Sequence, residues 1–129
     1  FSPVTTLLLS EDGTKLYSGI GDEIKVWDTA TNTCVTALQG PPGTVKSLIL
    51  LPNTHQLVCG GWNDSFITVW DTITGACIFA VEGTRGNSSN CLALSTTRNV
   101  LFSASMSGDI EMRQILCSGE SNRIELNQI

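Results

Sequence analysis

Charged side chains are scarce in this sequence, and positively charged ones are the scarcest. Charged residues make up 15% of the 129 residues, against roughly 25% in typical soluble domains. Strands that are buried on both faces have such a composition, because few of their positions face water. Seven Lys and Arg against twelve Asp and Glu leave a net charge of −5, and the basic residues form no run. Nucleic acid is therefore not an expected partner, since phosphate binding requires clustered Lys and Arg.

Long hydrophobic runs are missing as well. Apolar stretches such as residues 48–51 have the length of a strand and are far shorter than the ~18 residues that a membrane-spanning helix needs. The first residues do not have the pattern of a signal peptide either. No membrane insertion is therefore expected.

Histidine and cysteine do not occur in patterns typical of a reactive or metal-binding site. The five cysteines include no CxxC spacing, which argues against a disulfide framework and a zinc site. Cys34 and Cys77 each follow a tryptophan by seven residues, and we interpret them as small buried thiols in strands. His55 is the only histidine and has no suggestively spaced nucleophile or carboxylate, so no catalytic residue, metal or cofactor is predicted. The free thiols favour a reducing, intracellular setting, and we expect a cytoplasmic protein.

What the chain does have is a repeat. The segment IKVWD at residues 24–28 recurs as ITVWD at residues 67–71, and IEMRQ follows at residues 110–114. Consecutive copies lie 43 residues apart, a period typical of repeat architectures. Apolar and polar residues alternate within each copy, which is the pattern of a half-buried strand.

Each repeat reads as four short strands separated by turn residues, with no helical periodicity. The three units span approximately residues 4–40, 45–83 and 89–127, with a weak last strand near residues 123–126. A single four-stranded antiparallel sheet cannot bury both of its faces, whereas radially stacked copies cover one another at a separation of ~10 Å. An all-β fold is therefore predicted over residues 1–129.

With these features the chain resembles the WD-repeat β-propeller family. The resemblance rests on the two IxVWD segments, on the small pairs Ser18-Gly19 and Gly60-Gly61, and on an aspartate six residues before the second tryptophan. It implies three four-stranded antiparallel blades of a partial propeller. It also implies a structural signature made of Trp27, Asp28, Asp64, Trp70 and Asp71.

Departures from the family pattern concern the polar network inside each blade. WD repeats typically have a Gly-His pair between blades, where this chain has Gly40-Pro41 and Gly83-Thr84. Cys59 occupies the position of a hydroxyl residue in the second unit, and Arg113 replaces tryptophan in the third. We therefore expect packing, rather than a buried hydrogen-bond network, to hold the blades together.

The resemblance implies a non-catalytic scaffold for protein–protein interaction. In WD-repeat propellers the loops between the second and third strands and between blades form the face that most often binds partner peptides. Trp62 and Met106 fall in the first kind of loop and Arg85 in the second, which makes them the candidate partner-binding residues. For Trp62 the alternative is a side chain that folds over the neighbouring blade. A second alternative for the whole chain is a regulatory or targeting propeller region of a large multidomain kinase, GTPase or ubiquitin-ligase enzyme.

Three blades are too few for a closed ring, since propellers have about four to eight. An open stack would expose two apolar sheet faces to water, which is rare in soluble monomers. The remaining blades are expected either elsewhere in a longer parent chain or in a second copy that closes the ring. The start at Phe1, in the middle of a repeat, favours the parent chain.

Overall fold

The predicted all-β fold is confirmed in a computed structural model, which describes residues 3–39, 44–51, 54–62, 66–82, 89–105, 108, 110–118 and 123–128. These residues form three antiparallel four-stranded sheets and no helix. The strands of the first sheet are β1 Val4–Leu9, β2 Lys15–Ile20, β3 Glu23–Asp28 and β4 Thr33–Gln39. The second sheet contains β5 Thr44–Leu50, β6 Gln56–Trp62, β7 Phe66–Asp71 and β8 Cys77–Glu82. The third contains β9 Ser89–Ser95, β10 Val100–Ser105, β11 Ile110–Ser118 and β12 Arg123–Gln128.

Within each sheet the strands lie side by side in chain order, so neighbours in sequence are neighbours in space. The turns that join them contain residues suited to a left-handed backbone. Gly13 has φ of 75° between β1 and β2, and Asn32 has φ of 57° between β3 and β4. Asparagine and glycine adopt this conformation at the lowest cost among the amino acids.

The second strand of each sheet is longer than its sequence predicts. β2 continues through Gly19 to Ile20, and β6 continues through Gly60 and Gly61 to Trp62. The small residues suggested a loop, but a strand ladder uses main-chain N–H and C=O groups, which glycine also has. Gly19 accordingly pairs with both flanking strands, opposite Thr6 and Ile24.

The first and second sheets pack face to face. We call the side of a sheet that faces the preceding sheet its near face, and the side that faces the following sheet its far face. The far face of the first sheet and the near face of the second form one hydrophobic cluster of mutually packed side chains. Its buried members are Tyr17, Ile24, Val26 and Leu38 from the first sheet and Val45, Leu48, Leu57, Cys59 and Trp70 from the second.

A second cluster lies between the second and third sheets. Val58, Ile67 and Val69 on the far face of the second sheet are fully buried, and Leu101 of β10 is fully buried opposite them. The middle sheet is therefore covered on both faces, as the low fraction of charged residues predicts.

The stack is tightest along its inner strands β1, β5 and β9, which contact one another across the two interfaces. The two sheets approach each other closely at Gly19. A Cβ atom on this residue would lie 2.7 Å from Val45 Cγ1 and 2.8 Å from Thr6 Cγ2. The outer strand β4, in contrast, is exposed at almost every position.

An ion pair replaces an aromatic residue in the second interface. Arg113 and Glu111 of β11 occupy the repeat positions of Trp70 and Thr68, and their side chains are only 4% and 15% exposed. Arg113 Nη2 lies 2.6 Å from Glu111 Oε2. Arg113 pairs in register with the fully buried Leu101, so both project towards the second sheet. A desolvated guanidinium needs such a counter-charge, which explains why the residue two positions earlier is a glutamate.

The prediction of buried thiols is wrong for Cys34 and Cys77, which are both exposed. Their strands β4 and β8 are the outermost of their sheets, where alternating apolar residues are not covered by a neighbour. Cys59 is buried, and Cys91 is exposed. None of Cys34, Cys59, Cys77 and Cys91 forms a disulfide.

Gly19→Ala should destabilise the fold by about 1–3 kcal/mol, because the added methyl group overlaps Val45 and Thr6. This steric cost exceeds the gain of about 0.4–1 kcal/mol that alanine gives by restricting the unfolded chain. Urea denaturation measures the difference in free energy of unfolding. In a Val45→Ala background the cost should shrink, and an unchanged cost would show that the sheets do not meet at Gly19.

Glu111→Thr should destabilise the protein by about 3–5 kcal/mol, since it removes the carboxylate from a buried guanidinium. The double variant Arg113→Trp, Glu111→Thr recreates the pair found at residues 70 and 68. We expect it to unfold within about 1 kcal/mol of the parent or to be more stable, because replacing a buried ion pair by apolar groups is often neutral or stabilising. A double-mutant cycle compares the free energies of unfolding of the single and double variants. If the effects of the two substitutions are additive, the interaction between Arg113 and Glu111 does not stabilise the fold.

Candidate functional site

The stack has two ends with different connections. At one end lie the β2–β3 connection, the end of β6 and the starts of β1, β5 and β9, and we call it the loop end. At the other lie the β1–β2, β3–β4, β7–β8 and β9–β10 turns, and we call it the turn end. All three predicted partner-binding residues belong in sequence to the loop end.

Trp62 is the last residue of β6 rather than a loop residue, which corrects the sequence-based assignment. Its main chain pairs with Thr44, the first residue of β5. The strand therefore carries Trp62 up to the loop end and holds its backbone in the second sheet.

The other two candidates, Arg85 and Met106, lie outside the described residues, as does Asp64 of the predicted signature. Their assignment as partner-binding and structural residues stays a prediction.

Hydrogen bonds join the first two sheets at the loop end. The Val45 N–H donates to the Gly21 carbonyl at 2.7 Å, which connects the start of β5 to the β2–β3 loop. The Thr5 hydroxyl donates to the carbonyl of Gly19 at 3.2 Å and also to that of Val45. Across the second interface, the Leu92 N–H donates to Ser47 Oγ at 3.2 Å. Adjacent sheets are thus cross-linked by one hydrogen bond between main-chain groups and by two between a side-chain hydroxyl and a main-chain group.

The two signature tryptophans satisfy their indole N–H groups in different ways. Trp27 Nε1 donates to Ser18 Oγ on the neighbouring strand at 2.9 Å. The residue corresponding to Ser18 in the second sheet is Cys59, and Trp70 Nε1 donates instead to Thr68 Oγ1, two residues earlier on its own strand, at 3.1 Å. A single hydroxyl group replaces the missing network in each case, which agrees with the expectation that packing dominates.

The signature aspartates hold turns at the opposite end of the stack. Asp28 Oδ1 accepts the N–H groups of Ala30 at 2.8 Å and Thr31 at 3.3 Å. Asp71 Oδ1 accepts the equivalent pair from Ile73 and Thr74 at the same two distances. These carboxylates serve the turn geometry, so the Trp-Asp signature is structural at the four positions that the structure describes.

A polar cleft of about 470 Å³ lies at the turn end between the first and second sheets. Its lining includes Glu11, Asp12, Tyr17, Leu50 and His55. Burial raises the pKa of the Tyr17 hydroxyl. The sequence does not predict this cleft, because its residues are distant in the chain and meet through sheet stacking.

Two polar side chains of this cleft, Asp12 and Ser10, stabilise the β1–β2 turn. Asp12 accepts hydrogen bonds from the N–H and hydroxyl of Thr14 and from the Ser10 hydroxyl, which together lower the pKa of its carboxyl to about 2. Since Ser10 donates to Asp12 at 2.8 Å, its hydroxyl is not activated by the cleft's histidine. The His55 carbonyl accepts hydrogen bonds from the N–H and hydroxyl of Thr72, as expected of a turn residue. The cleft contains no nucleophile–base pair.

Among the described residues, no group of three or more His, Cys, Asp or Glu is placed to hold a metal ion. The described part of the chain likewise contains no helix of the length and hydrophobicity required to span a membrane.

Comparison with known proteins agrees with this architecture. A family model described as "WD domain, G-beta repeat" matches residues 32–71. The guanine nucleotide-binding protein subunit beta of Schizosaccharomyces pombe is 29% identical over 63 residues. That alignment covers 49% of this chain and 21% of the relative, so the chain matches about a fifth of that protein's length.

Solved structures share the fold. A chain in the crystal structure of the mitotic checkpoint complex superposes with a TM-score of 0.80 at 21% identity, covering 98% of this chain and 39% of the other. The computationally designed Ika4 protein superposes with a TM-score of 0.69 at 24% identity, covering 84% of this chain and 64% of that one. At these identities the similarity concerns the fold alone.

The three sheets stack as blades of a partial propeller, and their strands carry a 43-residue repeat with the tryptophan-aspartate ending. Together with the match of the family model to residues 32–71, these observations show a WD repeat in that segment and the fold of a partial WD-repeat β-propeller over the three sheets.

Proposed function

We propose that this chain is a non-catalytic platform for protein–protein interaction and part of a larger WD-repeat propeller. WD repeats are typically protein-interaction scaffolds, and the family is generally non-enzymatic. The chain matches 21% of the length of the beta subunit and 39% of the checkpoint-complex chain, which supports a larger propeller.

The observation that carries the proposal is the cross-linked loop end. The Val45–Gly21 hydrogen bond at 2.7 Å attaches the β2–β3 loop of the first sheet to the inner strand β5 of the second. The hydrogen bond from the Thr5 hydroxyl to the Val45 carbonyl attaches β1 to the same strand. A surface that is held in this way loses little conformational entropy when a partner binds, and more of the contact energy contributes to affinity. We propose that the contacts with a protein partner are made by Trp62, Arg85 and Met106, because aromatic and arginine side chains dominate interaction hot spots.

The proposed partners are proteins or peptides. The relative in fission yeast is named as a subunit, and the checkpoint chain is part of a complex, so each of these proteins works within an assembly. The acidic balance of this chain disfavours nucleic acid as a partner. We also propose a cytoplasmic location, because Cys34, Cys59, Cys77 and Cys91 form no disulfide.

Trp62→Ala is expected to weaken binding of at least one protein partner by about 30-fold, equivalent to about 2 kcal/mol for a hot-spot residue. Quantitative affinity enrichment with the parent and variant chains identifies the partners that are lost, and titration with the purified partner measures Kd. Circular dichroism and urea denaturation establish that the variant is folded.

His55→Ala is the matched control, since His55 is exposed at the turn end, on the opposite side of the stack. It should retain every partner that the parent chain binds. A folded Trp62→Ala chain that also retains all of them would remove Trp62 from the proposed site. The same comparison with Arg85→Ala and Met106→Ala then tests whether the loop end binds proteins at all.

A further inference from the structure

Each of the three inner strands contains one extra residue near its start. The register of β1 on β2 shifts between Val4 and Thr6, which makes Thr5 the extra residue of a β-bulge. The equivalent residues of β5 and β9 are Lys46 and Asn90. A bulge gives the side chain of its extra residue a new direction, outside the alternation of the strand. Of these three residues only Thr5 has a hydroxyl group.

The Thr5 hydroxyl joins the first sheet to the second. Its single proton is shared in a three-centre hydrogen bond between two carbonyl groups, that of Gly19 on the neighbouring strand at 3.2 Å and that of Val45 on β5. The Val45 N–H donates to the Gly21 carbonyl at 2.7 Å. Both main-chain groups of Val45 are therefore bonded to the first sheet and its β2–β3 loop.

Val45 lies beside the main chain of the proposed contact residue. The first two residues of β5, Thr44 and Val45, pair with the last two of β6, Trp62 and Gly61. The ends of a strand open more readily than its middle, so the hydrogen bonds from the first sheet determine how firmly this end of the β5–β6 ladder is held. The main chain of Trp62 is thereby connected to Thr5 through β5.

The second interface is cross-linked by a different position of the repeat. Ser47, which follows the extra residue Lys46, accepts the Leu92 N–H on its hydroxyl oxygen at 3.2 Å. In the first interface the hydroxyl belongs to the extra residue itself and donates to a carbonyl of the following sheet. The contact made by Thr5 therefore does not follow from the repeat pattern.

We propose that Thr5 is a positioning residue for the loop-end binding site, because its hydroxyl holds the start of β5 and, through the β5–β6 ladder, the main chain of Trp62. The inference rests on the proposed function, which assigns Trp62 to the partner contact. It adds a residue of the preceding sheet that acts on binding through Trp62. When the end of β6 is already ordered, binding of a partner loses less conformational entropy.

Thr5→Val removes the hydroxyl and keeps the branched shape of the side chain. We expect the amide hydrogens of Val45 and of residues 60–62 to exchange about fivefold faster, since the loss of one hydrogen bond changes a local opening equilibrium by about this factor. NMR-detected hydrogen exchange of the 129-residue chain measures the rates. Thr5→Ser retains a hydroxyl and should restore them. The amides of β10 in the third sheet are the reference for global unfolding.

Thr6→Val is the matched control. Thr6 is the next residue of β1 and is also half-buried, but its hydroxyl forms no hydrogen bond to any residue that the structure describes. This variant should exchange like the parent chain at residues 60–62. Unchanged rates there in a folded Thr5→Val chain would overturn the proposal, and so would an equal rise in β10, which reflects a general loss of stability. Thr5→Ala takes the place of Thr5→Val if the latter does not fold.

The partner that Trp62→Ala loses provides a second measurement. Titration with this purified protein should give a Kd about 3- to 10-fold higher for Thr5→Val and unchanged for Thr5→Ser and Thr6→Val. In a Trp62→Ala background Thr5→Val should have no further effect on Kd, because Thr5 acts through Trp62. If Trp62→Ala weakens binding and Thr5→Val does not, the positioning role is refuted and the proposed function stands. If Trp62→Ala weakens nothing, the proposed function fails at Trp62, and hydrogen exchange alone decides whether Thr5 holds the end of β6.

Discussion

The structure depends on the burial of one sheet face against the next. Each large apolar side chain that is fully buried contributes roughly 1.5–3 kcal/mol, whereas one hydrogen bond contributes about 0.5–1.5 kcal/mol net. The first interface buries Ile24, Leu38, Leu57 and Trp70 among others, so packing outweighs any single polar contact within it. This ratio explains why the blades form without the Gly-His network that is typical of WD repeats.

The polar groups at the two interfaces illustrate how the repeat tolerates divergence. Trp27 donates its indole N–H to Ser18 on the neighbouring strand. In the second sheet Cys59 has the repeat position of Ser18, and Trp70 donates to Thr68 on its own strand. Arg113 and Glu111 use the same two positions for an ion pair. A buried polar group requires a partner, but its repeat position allows that partner to lie either across the ladder or two residues earlier on the same strand.

Much of the fold could be predicted from the sequence, and the proposed interaction site only in part. The alternation around residues 24–28 and 67–71 identifies strands because β side chains alternate between faces with a period of two. Strand ends were less predictable, as Trp62 shows, since glycine pairs in a ladder without leaving a side-chain signal. The exposure of Cys34 and Cys77 was missed because an alternating pattern does not say which strand of a sheet is outermost. The assignment of contact residues, namely Trp62, Arg85 and Met106, still depends on the family resemblance.

The repeat and the all-β class follow from local alternation and turn residues at a 43-residue period. Which copies of a repeated residue are buried depends on how the sheets stack. Leu7 and Leu48 are the same amino acid at the same repeat position, yet one faces water and the other faces the first sheet. Burial is a property of what packs against a residue, and that neighbour is brought there by the stacking of sheets rather than by the residues beside it in the chain.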